Sequence, residues 1–342
     1  MAEGRAAPRR CVRCVLPDTF PGLTMHADGV CSLCRDFDRA APDTEATALA
    51  RLEAAFDQVR GKSARYDAVV AYSGGKDSSW LLYLLVRRWK LRCLAVTIDN
   101  GFVVDQALTN IRAVTDALEV DHILVRPAFG FLRQVYQESL RGGLHVPAAA
   151  TRASDICNSC IGLINNHVVS TAVHHQAPIV AGGYVAGQVP RNSAILTVPL
   201  AALDAGARSL QDRLADRLGD GARAHVERFP GAASVMIANP LLVSSYSEER
   251  LLADIEPLGW RRPVDTGLHS SNCRLNDLGI LAHHQRYGFH PYVGELAEQV
   301  RRGSLSRAEA LKRIEALPDI QELREEIARL GLNQELAPFP RQ

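Results

Sequence analysis

Between an apolar run at 67–72 (Asp-Ala-Val-Val-Ala-Tyr) and an amphipathic stretch at 80–89 stand seven residues, Ser73-Gly74-Gly75-Lys76-Asp77-Ser78-Ser79. A strand that turns through two glycines into a helix commits this part of the chain to a strand–loop–helix unit. The glycines let the backbone approach a ligand closely, and unpaired N–H groups with the positive dipole end face it from the helix start. The junction therefore reads as a cradle for a polyphosphate. Its spacing is not that of the Walker loop, which needs four residues between its first glycine and Gly-Lys-Ser/Thr, nor of the dinucleotide fingerprint. The plainer alternative is a Gly-Gly turn with incidental serines.

The pattern on either side repeats the unit. Strands are predicted at 68–72, 91–98 and 122–126, each followed by a helix at 78–89, 105–118 and 131–140. Such βαβα alternation with uninterrupted apolar strands calls for an α/β fold with a doubly wound parallel sheet covered on both faces. Ligands of such sheets sit beyond the carboxyl ends of the strands, where Ser73 and Asp99 fall. A fourth strand at 177–181 ends in the glycine turn Gly182-Gly183, and a fifth is expected at 234–239. Residues 48–60 carry a helical pattern that stops at Gly61, and 200–228 suggest a helical insertion or arm. Helical patterns return at 247–258 and 304–332, the second opened by a capping box from Ser306 to Glu309. The expected organisation is a cysteine module at 1–45, a nucleotide domain at 46–265 with an insertion at about 200–230, and a helical region at 266–342, with a proline-containing tail at 337–342.

Eight cysteines punctuate this plan. Cys11-x-x-Cys14 and Cys31-x-x-Cys34 have the spacing of a tetrahedral structural zinc site, and the turn-rich segment between them buries too little to fold without a staple. Four thiolates close the shell, so the ion would be structural. A redox pair or unligated thiols are the alternatives. Cys157-x-x-Cys160 and the distant Cys273 form a second set, open to three readings: an iron–sulfur centre, a persulfide carrier with its resolving partner, or a second zinc or structural thiols. Cys93 falls inside a strand and reads as a small buried hydrophobe. His283, His284 and His290 stand near Cys273 beside the aromatic run 287–292, which reads as a packed aromatic turn, and His174-His175 has no ligand spacing.

Lys+Arg number 39 and Asp+Glu 38, so no global basic field advertises a nucleic acid. Arg9, Arg10 and Arg13, with Arg261 and Arg262, could still make a local patch. No stretch reaches the roughly 18 apolar residues of a membrane span, and the N-terminus lacks a signal-peptide pattern. A cytoplasmic protein without a membrane partner is the expectation.

The loop at 73–79 resembles the SGGxDS signature of the N-type ATP pyrophosphatases, or PP-loop enzymes. That resemblance implies the adenine nucleotide alpha hydrolase fold, ATP with its pyrophosphate held around Ser73, Gly74, Gly75, Ser78 and Ser79, magnesium on Asp77, and a countercharge from Lys76. It also implies that Asp99, Gly182 and Gly183 face the nucleotide, although Asp99 could merely cap the next turn. The order of loop, Cys157/Cys160, Asn239-Pro240-Leu241, Ser247-Glu248-Glu249 and Cys273 is similar to the branch that inserts sulfur into tRNA, with asparagine where that branch has arginine. That likeness implies a [4Fe-4S] cluster on the three cysteines, with Asp77, Cys157 and Cys160 as catalytic residues and a sulfur donor or carrier protein as partner.

The stretches 11–22, 29–34 and 301–310 look like N-acetyl sugar amidotransferases instead. Those PP-loop enzymes take ammonia from a glutaminase subunit and lack the middle Cys-x-x-Cys. The expected function is thus an ATP-dependent sulfurtransferase acting on tRNA or a small molecule, with an amidotransferase as the alternative and a homodimer as one expectation for its assembly. A non-catalytic nucleotide sensor would leave the loop without a use.

Overall fold

The computed structural model describes residues 8–39 and 45–332. The expected tail at 337–342 lies outside them, as do residues 1–7 and 40–44. A turn-rich segment with three buried cysteines leads into α1 (Ser32–Arg39), which carries the fourth, Cys34, and α2 (Glu45–Val59) packs Ala48, Leu52 and Phe56 inward. Then come β1 (Ala68–Ala71), α3 (Lys76–Tyr83), β2 (Cys93–Ile98), α4 (Asp105–Leu118), β3 (Asp121–Val125), α5 (Phe129–Arg141), α6 (Asp155–His174) and β4 (Ile179–Ala181). The chain continues through β5 (Ile195–Pro199), α7 (Leu200–Leu218), β6 (Ser234–Ala238) and α8 (Glu248–Ile255). It closes with α9 (Leu275–Tyr287), α10 (Val293–Arg301), α11 (Arg307–Glu315) and α12 (Arg324–Arg329).

One six-stranded sheet runs β3-β2-β1-β4-β6-β5. Five strands are parallel, and β5 pairs antiparallel to β6 at the edge. The five parallel strands are those expected from the sequence, and β5 is a sixth that it did not announce. Ile195-Leu-Thr-Val-Pro199 is a half-exposed edge strand whose alternation is too short to separate from the loop around it, and it leads into α7, the helix expected from residue 200 onward. The central strands are apolar throughout because both faces are covered: β2 is buried at all six positions. One core lies between the sheet and α5, α6 and α9, and the other between the sheet and α2, α3, α4 and α8.

Strand order reverses at β1, whose neighbours are β2 on one side and β4 on the other. A crevice opens there at the carboxyl ends. The helix predicted at 78–89 starts earlier, at Lys76, and passes into a π-helical turn at Leu84–Arg88. The pattern at 304–332 is two helices and a 3-10 turn rather than one, interrupted near Pro318, which cannot continue a helix.

Candidate functional site

The crevice holds a cavity of about 520 Å³, and the 73–79 loop forms one wall of it. Gly74 makes the turn with φ +72°, and a Cβ there would stand 2.4 Å from the Ala107 carbonyl oxygen, so the loop leaves β1 over α4 in a way only glycine permits. Gly75 is the N-cap of α3 and no side chain caps that end. The helix thus turns its first N–H groups to the cavity, apart from that of Lys76, which donates to Ser271 Oγ at 3.2 Å. Ser73 and Ser78 line the wall with their hydroxyls 3.0 Å apart. Ser79 points the other way, 3.2 Å from the Tyr72 hydroxyl and fully buried, so it holds the loop rather than a ligand. Gly182 and Gly183 line the facing side; a Cβ on Gly183 would come within 3.2 Å of the Ser78 backbone.

Lys76 and Asp77 project into the cavity as a pair, Nζ to Oδ1 2.9 Å. Tyr246 completes a triangle that the sequence did not reveal: its hydroxyl donates to Asp77 Oδ1 at 2.6 Å and accepts from Lys76 Nζ at 2.6 Å. Burial, reinforced by the Asp77 charge, raises the Tyr246 phenol far above its ordinary range, so it stays a donor. Asp99 instead turns into its own loop, where Oδ1 accepts from the Gly101 N–H at 2.9 Å and Oδ2 meets Arg126 at 3.2 Å. Its neighbour Asn100 lines the cavity.

Cys157, Cys160 and Cys273 line the cavity too. The first two are three residues apart on the opening turns of α6, hence on one face, with Ser154 as N-cap accepting from the Cys157 N–H at 3.2 Å. Cys273 arrives from the far end of the sequence through a bridge to Val103, secured by Arg274 N–H to the Phe102 carbonyl at 3.1 Å. Asn100 Nδ2 lies 3.5 Å from Cys160 Sγ and 3.4 Å from Cys273 Sγ, while Cys157 Sγ lies 3.7 Å from Asn276 Oδ1. Burial pushes the Cys157 thiol up to about 11 and Cys273 to about 12, and raises Cys160 as well. A bound metal would have to displace those protons.

Among the described residues only the four N-terminal cysteines have their sulfurs all within 4.8 Å of one another, so the three cavity thiols do not converge on a single ion; they suit a soft centre of several metal atoms, with the positive end of α6 and a buried, unpartnered Asn276 Nδ2 beside them. Beneath them, Arg286 of α9 binds Asp155 at 2.5 Å and donates to the Ser139 and Leu140 carbonyls, and Tyr287 donates to Asp155 at 3.1 Å. Helix α9 approaches closely because a Cβ on Gly279 would meet Ser154 Oγ at 2.5 Å.

A further carboxylate, Glu295 on α10, lines the same cavity and accepts from Gln188 at 3.0 Å and Gln299 at 3.1 Å. Burial, with the charge of Asp77 adding to it, raises it to about 7. The signal for it in the sequence was only its position three residues after Tyr292, one turn on along the same helix face. Of the histidines near Cys273, His283 packs on Tyr287 with centroids 4.6 Å apart and His290 on Tyr292 at 5.7 Å, as an aromatic turn requires, and burial drives both down to about 3, so both stay neutral.

Of the other five cysteines, Cys93 is buried in β2 as expected and the remaining four lie together elsewhere. Cys11, Cys14, Cys31 and Cys34 are fully buried with their sulfurs all within 4.8 Å of one another. Cys11 and Cys34 Sγ are 3.9 Å apart, and Cys14 and Cys31 Sγ 3.8 Å. A tetrahedron with metal–sulfur bonds of about 2.3 Å has edges of about 3.8 Å, so the four sulfurs fit one ion. The module packs Phe20 on Phe289, and Arg307 of α11 donates to the Cys14 carbonyl at 2.7 Å. Of the arginines that could have made a patch, Arg13 pairs with Asp38 and Arg262 with Glu248, while Arg10 and Arg261 donate to the Val15 and Trp260 carbonyls.

Among the described residues, no helix is long and apolar enough to cross a membrane. No protein-family model matches the chain. An uncharacterized protein of Methanocaldococcus jannaschii is 23% identical over 274 residues, 80% of this chain and 81% of its own length. Among solved structures, the chain is similar to the U34-tRNA thiolase NcsA from Methanococcus maripaludis with its [4Fe-4S] cluster, at 14% identity, 91% of this chain, 89% of that one and TM-score 0.34. It is also similar to an NMN synthetase from Francisella tularensis, at 13% identity, 85% of this chain, 98% of that one and TM-score 0.40. For an NH3-dependent NAD synthetase from Campylobacter jejuni the values are 12%, 41% and 0.30, and the chain spans 57% of that protein's length.

Proposed function

We propose that this chain is a PP-loop ATP pyrophosphatase that adenylates a carbonyl or amide oxygen of its acceptor and replaces the adenylate with sulfur. The observation that carries the reading is the shared cavity: the 73–79 loop and the three cysteines Cys157, Cys160 and Cys273 line one space. The acceptor oxygen attacks the α-phosphorus of ATP, the bond to pyrophosphate breaks, and an AMP ester forms. The free N–H groups of α3 and the Ser73 and Ser78 hydroxyls hold the departing pyrophosphate, Lys76 offsets its charge, and Asp77 is the carboxylate that would hold magnesium. Sulfur then bonds to the activated carbon, the carbon–oxygen bond breaks and AMP leaves.

A [4Fe-4S] cluster held by the three cysteines would supply an iron open to a hydrosulfide ligand. The protein's part in this step is to hold the thiolates on the cavity wall and to exclude water. To the four-cysteine module we assign a structural zinc ion.

The test is anaerobic reconstitution with iron and sulfide, followed by metal analysis. Wild type should hold a full cluster and one zinc, and Cys157→Ala, Cys160→Ala and Cys273→Ala should lose the iron and keep the zinc. Wild type without iron would remove sulfur from the reading, and ammonia-dependent turnover with a bound glutaminase subunit would replace it by amide transfer. In parallel, Asp77→Asn should cut pyrophosphate release, assayed with bulk transfer RNA and with small amide-bearing acceptors, by roughly 10²- to 10³-fold. Undiminished release would sink the adenylation step itself.

A further inference from the structure

We infer that Asn100 is a positioning residue for the cavity cysteines, its amide N–H groups holding the Cys160 and Cys273 sulfurs in place as metal ligands. The inference rests on the cluster reading above and adds to it a residue that acts through the ligand sulfurs.

Asn100 leaves the end of β2 and is buried. Which way its amide faces is normally an open choice between oxygen and nitrogen. Here the backbone decides it: Oδ1 accepts the Phe102 N–H at 2.9 Å, so Nδ2 must face the two sulfurs, at 3.5 and 3.4 Å. An NH2 group carries two donors, one for each sulfur.

The two cysteines come from unrelated places. Cys160 belongs to α6, and Cys273 to the segment bridged to Val103. Asn100 is the side chain that touches both sulfurs, so it fixes their separation from a third element, the β2 loop. Donors to ligand sulfurs stabilise the more electron-rich, reduced centre and orient the ligands. Deleting them should move the reduction potential to more negative values and loosen the metal.

The experiment uses full-length protein reconstituted anaerobically, with Asn100→Asp and Asn100→Leu beside wild type. The aspartate keeps an oxygen for the Phe102 N–H and has no donor when ionised, whereas the leucine has neither donor nor charge. Zinc content and the thermal midpoint verify folding. Redox titration followed by electron paramagnetic resonance, and the rate of iron release to a chelator, give the readouts. Both variants should titrate at more negative potential and release iron several-fold faster than wild type. Potentials and release rates equal to wild type in both variants overturn the inference, as does a shift confined to Asn100→Asp, which would be a charge effect. A wild type that itself holds no iron takes down the cluster reading and this inference with it, and is recognised because the defect then precedes any substitution.

Discussion

The two sets of cysteines share the same Cys-x-x-Cys pair, yet their surroundings are opposite. In the N-terminal module two pairs face each other, all four sulfurs are fully buried and close together, and backbone N–H groups of Cys14 and Cys31 point at Cys11 Sγ at 3.5 and 3.3 Å. Nothing is left open. In the cavity one pair and a single cysteine line the same wall, all three are partly exposed, and the space beside them is shared with the 73–79 loop. A fourth thiol staples a fold, whereas its omission leaves a centre that can meet a ligand. Cys-x-x-Cys by itself therefore reports a metal or redox site but not its purpose. The count of converging thiols and what else lines the space decide that.

The comparison breaks most sharply at the staple. Cys14→Ser should unfold the module, because binding of a structural zinc in so small a segment supplies on the order of 10 kcal/mol of its folding free energy. Since Phe20 and the Cys14 carbonyl are held by Phe289 and Arg307, the damage should spread to α10 and α11. Cys160→Ser should leave the thermal midpoint nearly unchanged. Equal losses in the two variants, followed by circular dichroism with zinc analysis, would erase the distinction.

Next in size is the support under the open centre. Arg286 and Asp155 form a buried pair that ties α9 to the first turn of α6. Arg286→Met strands a buried carboxylate, which costs about 3–5 kcal/mol. Urea unfolding should register that loss, and iron uptake should fall while zinc stays at one per chain. Iron uptake as in wild type would show that the clamp serves the fold alone.

Much of this plan was legible in the sequence. The 73–79 loop, the βα alternation and both cysteine sets were visible because each depends on local spacing: glycines at a strand end, apolar periods of two and 3.6, thiols three apart. The antiparallel β5 was not, since a five-residue edge strand with half-exposed side chains carries no decisive period. Tyr246, Asn100 and Arg286 were equally hidden as site residues. Each acts through a partner between about 60 and 173 residues away, at contacts that exist only after folding has brought the β2 loop, α6 and α9 together and set the segment before α8 against α3. Ser79 shows the reverse: inside the most legible motif, its hydroxyl serves the fold.

The smallest effect concerns the carboxylate that shares the cavity with Lys76 and Asp77. Glu295 is raised to about 7 by burial first and by Asp77 second, against an ordinary value of 4.5, while Lys76 and the amides of Gln188 and Gln299 pull it back. Between those two values the folded state binds a proton that the unfolded chain has released, so stability falls as pH rises. The penalty is absent below about 4.5, grows through the interval and is complete above about 7. Glu295→Gln, which cannot ionise, should therefore raise the thermal midpoint at pH 8 by more than at pH 5. In the four-cysteine module Asp28 and Asp38 are instead held below their ordinary range, Asp28 first by the Val30 N–H and then by Arg35, and Asp38 by Arg13, and that is where the two regions part again. If the pH 8 gain equals the pH 5 gain, Glu295 is already ionised in the folded protein, and the open centre carries no more electrostatic strain than the closed one.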